Sequence, residues 1–381
     1  MAVYLLGFAL SLALIAIAQK KRTAVFWILS AIALLIPCLI AGLRARHVGT
    51  DVMVYVKQLT HSAIISDDLG EYFRTYWYYS WKNVYVKDYD LGFSLLVYVV
   101  GRLTNNLGCV LFAIQAIMVI PIYLALSRNR KQFPIWIGML VYYLFFYNTT
   151  LNMMRQWVAM AFLLLAFQLL TEKKVWLTAL FTVVAFLFHT TSVIAIPLYG
   201  VYWLLRRVEG VQFVQNRLRI SAPMMVVTGL GILSVIALFC MPLIIKLLGL
   251  IGLSKFNNYL EGDKMRIVFT QIVLRLPLFF LMILNWRDLS RKTKLAPFFA
   301  AMLVFDTVAS QLVSIDAMAF RIANYFALFQ ILWLPPVCTC HRNRGVRVIS
   351  TLVLVGYCLV YWYFIYVMEL RHETYPYVSI L

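Results

Sequence analysis

Acidic residues are scarce in this chain. Its 381 residues include only 15 Asp and Glu against 34 Lys and Arg, and charged residues of both signs amount to 13%. Hydrophobic residues make up 63%, where soluble domains use roughly 45–50%. A soluble fold of this length could not bury that much apolar surface, so lipid must be the solvent for most of the chain. Nucleotide signatures are missing as well. No glycine-rich phosphate loop ending in Lys-Ser or Lys-Thr occurs, and no Gly-x-Gly-x-x-Gly turn. ATP coupling and a cytoplasmic nucleotide-sugar donor are therefore unsupported. Cysteine is limited to Cys38, Cys109, Cys240, Cys338, Cys340 and Cys358, all in or at the ends of apolar runs, where they read as small buried hydrophobes. Cys338, Cys340 and His341 stand close together but match no zinc spacing. No metal and no cofactor are expected. The net charge of +19 raises nucleic acid as a partner. The positive residues sit in short clusters between apolar runs, however, which is the positive-inside pattern of membrane proteins, so nucleic acid is excluded.

What is abundant is long apolar sequence. Runs near the roughly 20 residues that cross a bilayer cover 2–18, 24–43, 107–127, 134–148, 154–170, 175–189, 191–205, 221–247, 268–285, 296–313, 321–339 and 347–367. Residues 91–105 are apolar but interrupted by Gly92, Gly101 and Arg102, and are read as a re-entrant or interfacial helix. The expected fold is all-α and polytopic, one integral membrane domain over 1–381 with about 12 transmembrane helices. Orientation follows from charge. Loops holding Lys20, Lys21 and Arg22; Arg128, Arg130 and Lys131; Lys173 and Lys174; Arg206, Arg207, Arg217 and Arg219; Arg287, Arg291, Lys292 and Lys294; and Arg342, Arg344 and Arg347 carry 19 basic residues and only three acids, Glu172, Glu209 and Asp288. They are separated by pairs of spans and are assigned to the cytoplasm. The other 15 basic residues accompany 12 acids. Both termini then lie outside, provided 91–105 does not cross. Residues 4–18 lack a preceding positive region and are followed by Lys20-Lys21-Arg22, the reverse of a signal peptide. The outer loops are 44–106 and 249–267. Within the first, Tyr72, Phe73, Tyr76, Trp77, Tyr78, Tyr79, Trp81, Tyr85 and Tyr89 form an aromatic cluster. It suits either an interfacial belt or a stacking surface for sugar rings.

Ionisable groups at membrane depth are costly, so each is a functional candidate. Nearly all fall at the outer ends of spans: Arg44 and Arg46 with Asp51; Asn152, Arg155 and Gln156; His189 followed by Thr190, Thr191 and Ser192; and Arg321 with Asn324. Arg275 and Asp306 lie within spans and suggest a structural pair. Structural readings exist for the others too: Thr50 or Asp51 as a helix cap, Arg155 and Arg321 as snorkelling anchors, His189 as a core histidine. The argument for function is convergence on one face. Guanidinium groups bind phosphate oxygens in bidentate fashion. A lipid pyrophosphate is an anion at the membrane surface and a good leaving group. Glycosyl transfer from it needs charge neutralisation and a base for the attacking hydroxyl, for which Asp51 and His189 are the candidates.

Several short motifs occur in order: Gly42-Leu43-Arg44, Val48-Gly49-Thr50-Asp51 with Tyr55, Asp90-Leu91-Gly92-Phe93, Asn152-Met153-Met154-Arg155-Gln156, His189-Thr190-Thr191-Ser192, Arg321-Ile322-Ala323-Asn324-Tyr325-Phe326 and Tyr375-Pro376-Tyr377. Together they resemble the EpsG-type polysaccharide polymerases, relatives of the O-antigen polymerase Wzy of bacterial inner membranes. The resemblance covers residues 40–380 and is compatible with a GT-C-like architecture. It implies a polymerase of lipid-linked glycan repeat units, for O-antigen or exopolysaccharide. The growing glycan would pass from undecaprenyl pyrophosphate to the non-reducing end of a new lipid-linked repeat at the periplasmic face. By the same analogy Arg44, Arg155 and Arg321 would hold pyrophosphate, with Gln156 and Asn324 beside them, and Asp51 or His189 would move the proton. Arg46 lies outside the family pattern. Implied partners are the undecaprenyl-pyrophosphate-linked oligosaccharide, membrane lipids, a chain-length regulator and a flippase. Two other readings compete. A flippase for the same lipid-linked glycan should carry repeats or broken midplane helices. An O-antigen ligase would share the arginine chemistry with a different acceptor.

Overall fold

A computed structural model describes residues 1–215, 218–241, 266–316 and 319–380. Among them the chain is almost wholly helical, with two short hairpins, Tyr76–Tyr79 with Lys82–Tyr85 and Gln212–Gln215 with Leu218–Ser221. Among the described residues seven helices are long and apolar enough to cross a bilayer, eight if the bent pair Phe269–Leu284 and Trp286–Lys292 counts as one span. The protein is an all-α polytopic membrane protein. Several apolar runs yield shorter helices than 20 residues: Ala2–Ala18, Val175–Phe188 and Ala195–Arg207 have 17, 14 and 13. Run 134–148 is divided into Ile135–Val141, a π turn over Tyr142–Phe146, and Tyr147–Thr150. The outer loop at 249–267, apart from 266–267, and the end of run 221–247 lie outside the described residues.

The chain divides into two compact units, Met1–Ala195 with Leu352–Leu381, and Ile196–Thr351. In the first, the elements in order are α1 (Ala2–Ala18), α2 (Thr23–Gly42), α3 (Lys57–Ile65), α4 (Leu69–Arg74), β1 (Tyr76–Tyr79), β2 (Lys82–Tyr85), α5 (Leu91–Thr104), α6 (Leu107–Ser127), α7 (Ile135–Val141), α8 (Tyr147–Thr150), α9 (Met154–Thr171) and α10 (Val175–Phe188). Helix α9 is apolar on all sides, as suits a helix enclosed by others. Fifteen of its 18 residues are buried, and it packs against α6 and α10. Backbone groups released by proline are recovered across helices. Pro37 in α2 cannot donate to the Ala33 carbonyl, and Ser11 Oγ of α1 donates to it instead at 2.9 Å. Tyr147 Oη donates to the Pro37 carbonyl at 2.6 Å.

The two ends of this unit differ. At one end, Arg128 pairs with Glu172, and Gln19 links to the next loop by accepting from the Ile135 N–H at 2.7 Å and donating to the Phe133 carbonyl at 2.9 Å. These loops all belong to the basic set. The opposite ends of α2, α9 and α10, about 25 Å away at 1.5 Å per residue, carry Arg44, Arg155 and His189. Helix α5 starts beside Arg155 and His189 through Asp90. It ends where α6 begins, and Gly108 there lies against the Gly42 carbonyl that closes α2. Both ends of α5 therefore sit at the same end of the unit, and α5 does not run its length.

In the second unit Arg275 and Asp306 pair at 2.7 Å, as their positions within apolar runs suggest, and Gln330 Nε2 donates to Asp306 at 3.2 Å. Asp306 is only 1% exposed. Loops of the basic set also meet here: Lys294 pairs with Glu209 at 2.9 Å, and His341 with Asp288 at 2.9 Å.

Candidate functional site

The site grows from four chain breaks at one end of the first unit. After α2 the backbone turns at Gly49, whose φ of +87° is costly for other residues. A side chain at Gly49 would also meet the Leu151 carbonyl at 2.7 Å. Gly49 thus lets two loops touch. Asn152 Oδ1 accepts from Thr50 Oγ1 at 2.6 Å and from the Asp51 N–H at 2.9 Å. Asp51 heads a π turn over Val52–Val56 and accepts from Tyr55 Oη at 2.6 Å. At the start of α5, Gly92 approaches the Leu187 carbonyl so closely that a Cβ would lie 3.0 Å from it. This brings Asp90, the residue before α5, against the end of α10.

Asp90 is the hub. Its Oδ2 accepts from Arg155 Nη1 at 2.8 Å and lies 3.3 Å from His189 Nδ1. The guanidinium of Arg155 sits over two tyrosine rings, 5.1 Å from Tyr55 and 5.0 Å from Tyr89. Cation–π contacts of this kind hold a guanidinium without neutralising it. Tyr89 stacks in turn on Trp77 of β1. Burial pushes the Asp90 carboxyl up, but the hydrogen bond with His189 and the Arg155 charge outweigh it and hold Asp90 below the ordinary carboxylate range. The Asp90 side chain is 9% exposed, Arg155 28% and His189 22%, so the positive face remains reachable.

Arg44 is different. It is buried, donates through Nη2 only to Met154 Sδ at 3.7 Å, and its Nε and Nη1 have no hydrogen-bond partner. A buried guanidinium with unpaired nitrogens is expensive.

The structure thus gathers Arg44, Asp51, Arg155 and His189 in one unit around Asn152 and Asp90. Gln156 follows Arg155 on α9 and is buried. Arg46 is exposed and has no ion pair or hydrogen bond among the described residues. Arg321 and Asn324 belong to the second unit, half-buried in Ala319–Ile322 and Ala323–Ala327. Sequence reasoning passed over Asp90 as a site residue, along with Tyr55 and Tyr89, although Asp90 and Tyr55 stand in the motifs. No group of three or more His, Cys, Asp or Glu able to hold a metal occurs among the described residues.

Fold and site together define a multi-pass membrane protein with a cationic, aromatic-walled cluster at one end of a helical unit. The model of the EpsG family matches residues 27–379, nearly the whole chain, and the protein belongs to that family, which is associated with polysaccharide polymerisation. No curated protein and no solved structure matches the chain.

Proposed function

We propose that this protein polymerises lipid-linked glycan repeat units in a bacterial inner membrane. It would transfer the growing glycan from undecaprenyl pyrophosphate to the non-reducing end of a new lipid-linked repeat, at the periplasmic face. The observation that carries this reading is the pair of guanidiniums from separate helices. Arg44 is buried with unpaired nitrogens, and Arg155 is held on tyrosine faces. Both suit a diphosphate. The side is supported by charge: the basic loops gather at the other end of α9 and α10.

The reaction needs one proton moved and one leaving group stabilised. The acceptor hydroxyl oxygen attacks the anomeric carbon of the donor. The bond between that carbon and the pyrophosphate oxygen breaks, and its electron pair leaves with the pyrophosphate. Arg155 and Arg44 stabilise the charge that develops there. The hydroxyl proton passes to His189, which is the better-supported base. With Nδ1–H donating to Asp90, Nε2 is left as the acceptor, the arrangement by which a carboxylate orients a catalytic imidazole. Asp51, which already accepts from the Tyr55 hydroxyl, is the alternative.

The test uses purified protein in nanodiscs with undecaprenyl-pyrophosphate-linked repeat units. A ladder of longer glycans supports the proposal. Translocation across vesicles with no new glycosidic bond would make the protein a flippase. A product formed only with a lipid A core would make it a ligase. Arg321 and Asn324 are proposed pyrophosphate contacts from the resemblance, and Arg321→Ala in the same assay decides whether they take part.

A further inference from the structure

The C-terminal segment after Met368 does not trail away from the site. Its strand-like end borders the loop that follows α2. Ala45 N–H donates to the Val378 carbonyl at 2.8 Å, Ile380 N–H to the Leu43 carbonyl at 2.9 Å, and Arg44 forms a bridge with Ser379. Further back, Gly49 N–H donates to the Glu373 carbonyl at 2.9 Å. The segment is pinned from below as well. Thr374 is fully buried, accepting from Tyr4 Oη through its carbonyl at 2.8 Å and from Asn148 Nδ2 through Oγ1 at 3.0 Å. The loop that carries Arg44 and Asp51 is thus bordered along its length by residues more than 300 positions away in sequence.

Within this strap the backbone is strained at three non-glycine residues. Leu370, His372 and Glu373 have φ of 50°, 68° and 51°. Such conformations persist where surrounding contacts enforce them, and they cluster at functional sites. Here the strain aims one side chain. His372 Nδ1 lies 3.4 Å from Asn152 Nδ2. The assignment of the amide is fixed by its other contacts. Asp51 N–H can only donate, so the atom facing it is Oδ1, and the atom facing His372 is the NH2 group. His372 Nδ1 is therefore an acceptor. His372 thus adds a third contact, at 3.4 Å, on the far side of an amide whose Oδ1 takes the bonds from Thr50 at 2.6 Å and Asp51 at 2.9 Å.

We propose that His372 is a positioning residue of the site. It fixes the Asn152 amide, and through it the Thr50–Asp51 backbone, and so the place of Asp51 and Tyr55 beside Arg155. The inference rests on the polymerase reading for its kinetic consequence but not for its structural one. Two substitutions separate its parts. His372→Gly accepts the left-handed backbone without steric strain but removes the acceptor. His372→Asn tolerates that backbone and keeps a short side-chain acceptor.

The experiment takes the full chain in nanodiscs with the lipid-linked repeat as substrate, and adds amide hydrogen exchange at Asp51. His372→Gly is expected to lower kcat about tenfold with KM little changed, since it displaces a supporting group without touching substrate. His372→Asn should recover most of that loss. Asn152→Ala should cost little more in the His372→Gly background than in the wild type less the His372 effect, the signature of two residues acting as one. Exchange at the Asp51 amide should speed up in His372→Gly and return in His372→Asn. Wild-type kcat in His372→Gly, no recovery by Asn, or an unchanged Asp51 amide overturns the proposal. If the wild-type protein itself makes no polymer, the polymerase reading fails alone, and the Asp51 exchange still decides for or against the role of His372.

Discussion

The protein holds two Asp–Arg pairs of nearly the same length in different surroundings. Asp90 and Arg155 are 2.8 Å apart in the first unit, and Asp306 and Arg275 are 2.7 Å apart in the second. The second pair is closed. Asp306 is 1% exposed, Gln330 donates to its other oxygen, and Arg275 Nη1 also donates to the Gln271 carbonyl and side chain. The first pair is open. Arg155 is 28% exposed, its faces rest on tyrosine rings, and a histidine shares the carboxylate. A buried pair whose carboxylate accepts from two other elements, through Arg275 and Gln330, serves packing. A half-buried pair whose cation gives one directed bond to the carboxylate and rests its faces on tyrosine rings leaves part of the guanidinium reachable. Ionisable residues within an apolar chain are thus divided by their surroundings rather than by their type.

The sharpest way to break this comparison is to remove each arginine. Arg155→Ala is expected to lower chain elongation about 10²–10³-fold, the loss typical of one charge-stabilising donor, while the protein still inserts. Arg155→Lys should be nearly as poor, because a point charge lacks the planar fork. Elongation rates in nanodiscs, with insertion checked separately, measure this, and a wild-type rate in Arg155→Ala removes the residue from the site. Next in size is Arg275→Ala. It leaves Asp306 buried without its cation, and should cost about 3–5 kcal/mol of stability. Changing both partners to leucine should return most of it. Unfolding midpoints in detergent measure the effect. A stable but inactive Arg275→Ala protein would erase the distinction between the two pairs.

Much of the site was legible from the sequence for one physical reason. Polar groups at the ends of apolar runs are expensive, so Arg44, Asp51, Asn152, Arg155 and His189 stood out. The pairing of Arg275 with Asp306 followed from the same cost. Asp90 was not legible as a hub, because an Asp before Leu-Gly-Phe reads equally as the start of a helix. Its value comes from Gly92, which lets α5 touch the end of α10, a contact 95 positions apart in the chain. Tyr55 and Tyr89 were hidden among other tyrosines that composition cannot rank. Arg46 looked like Arg44 in sequence, two residues away, yet one is exposed and the other buried. Helix count was harder still. Apolar runs fix that a segment prefers lipid, but a π turn at Tyr142–Phe146 or a 13-residue helix at Ala195–Arg207 depends on packing against neighbours.

A smaller effect tests the open pair through acid. Asp90 is held below the ordinary carboxylate range when folded, so its charge is more favourable in the folded state than in the unfolded one. The resulting stability is complete above the unfolded value, about 4, and is lost as pH falls through the lower folded value. Asp90→Asn should flatten the acid limb of the stability curve. It should also slow elongation about tenfold to a hundredfold at neutral pH by releasing the His189 tautomer. Unfolding midpoints from pH 7 downward, with and without the substitution, measure the first effect. Identical acid limbs would show that the carboxylate is not held by Arg155 and His189.

The smallest expected effect concerns the tyrosine faces under Arg155. A cation–π contact at a partly exposed site is worth about 0.5–1 kcal/mol. Tyr89→Leu, which keeps bulk but removes the ring, should therefore lower elongation only a few-fold. Tyr89→Phe should be close to wild type, because the face and not the hydroxyl carries the contact. The Tyr89 hydroxyl is pushed up to about 12 by burial, against the opposing pull of Arg155. It stays neutral through the working range, so the difference between wild type and Tyr89→Phe should not change between pH 6 and about 9. A Tyr89→Leu loss as large as that of Arg155→Ala would mean the ring contacts substrate directly. No loss at all would leave Asp90 alone to place the guanidinium, and the open pair would then be held by the same force as the closed one.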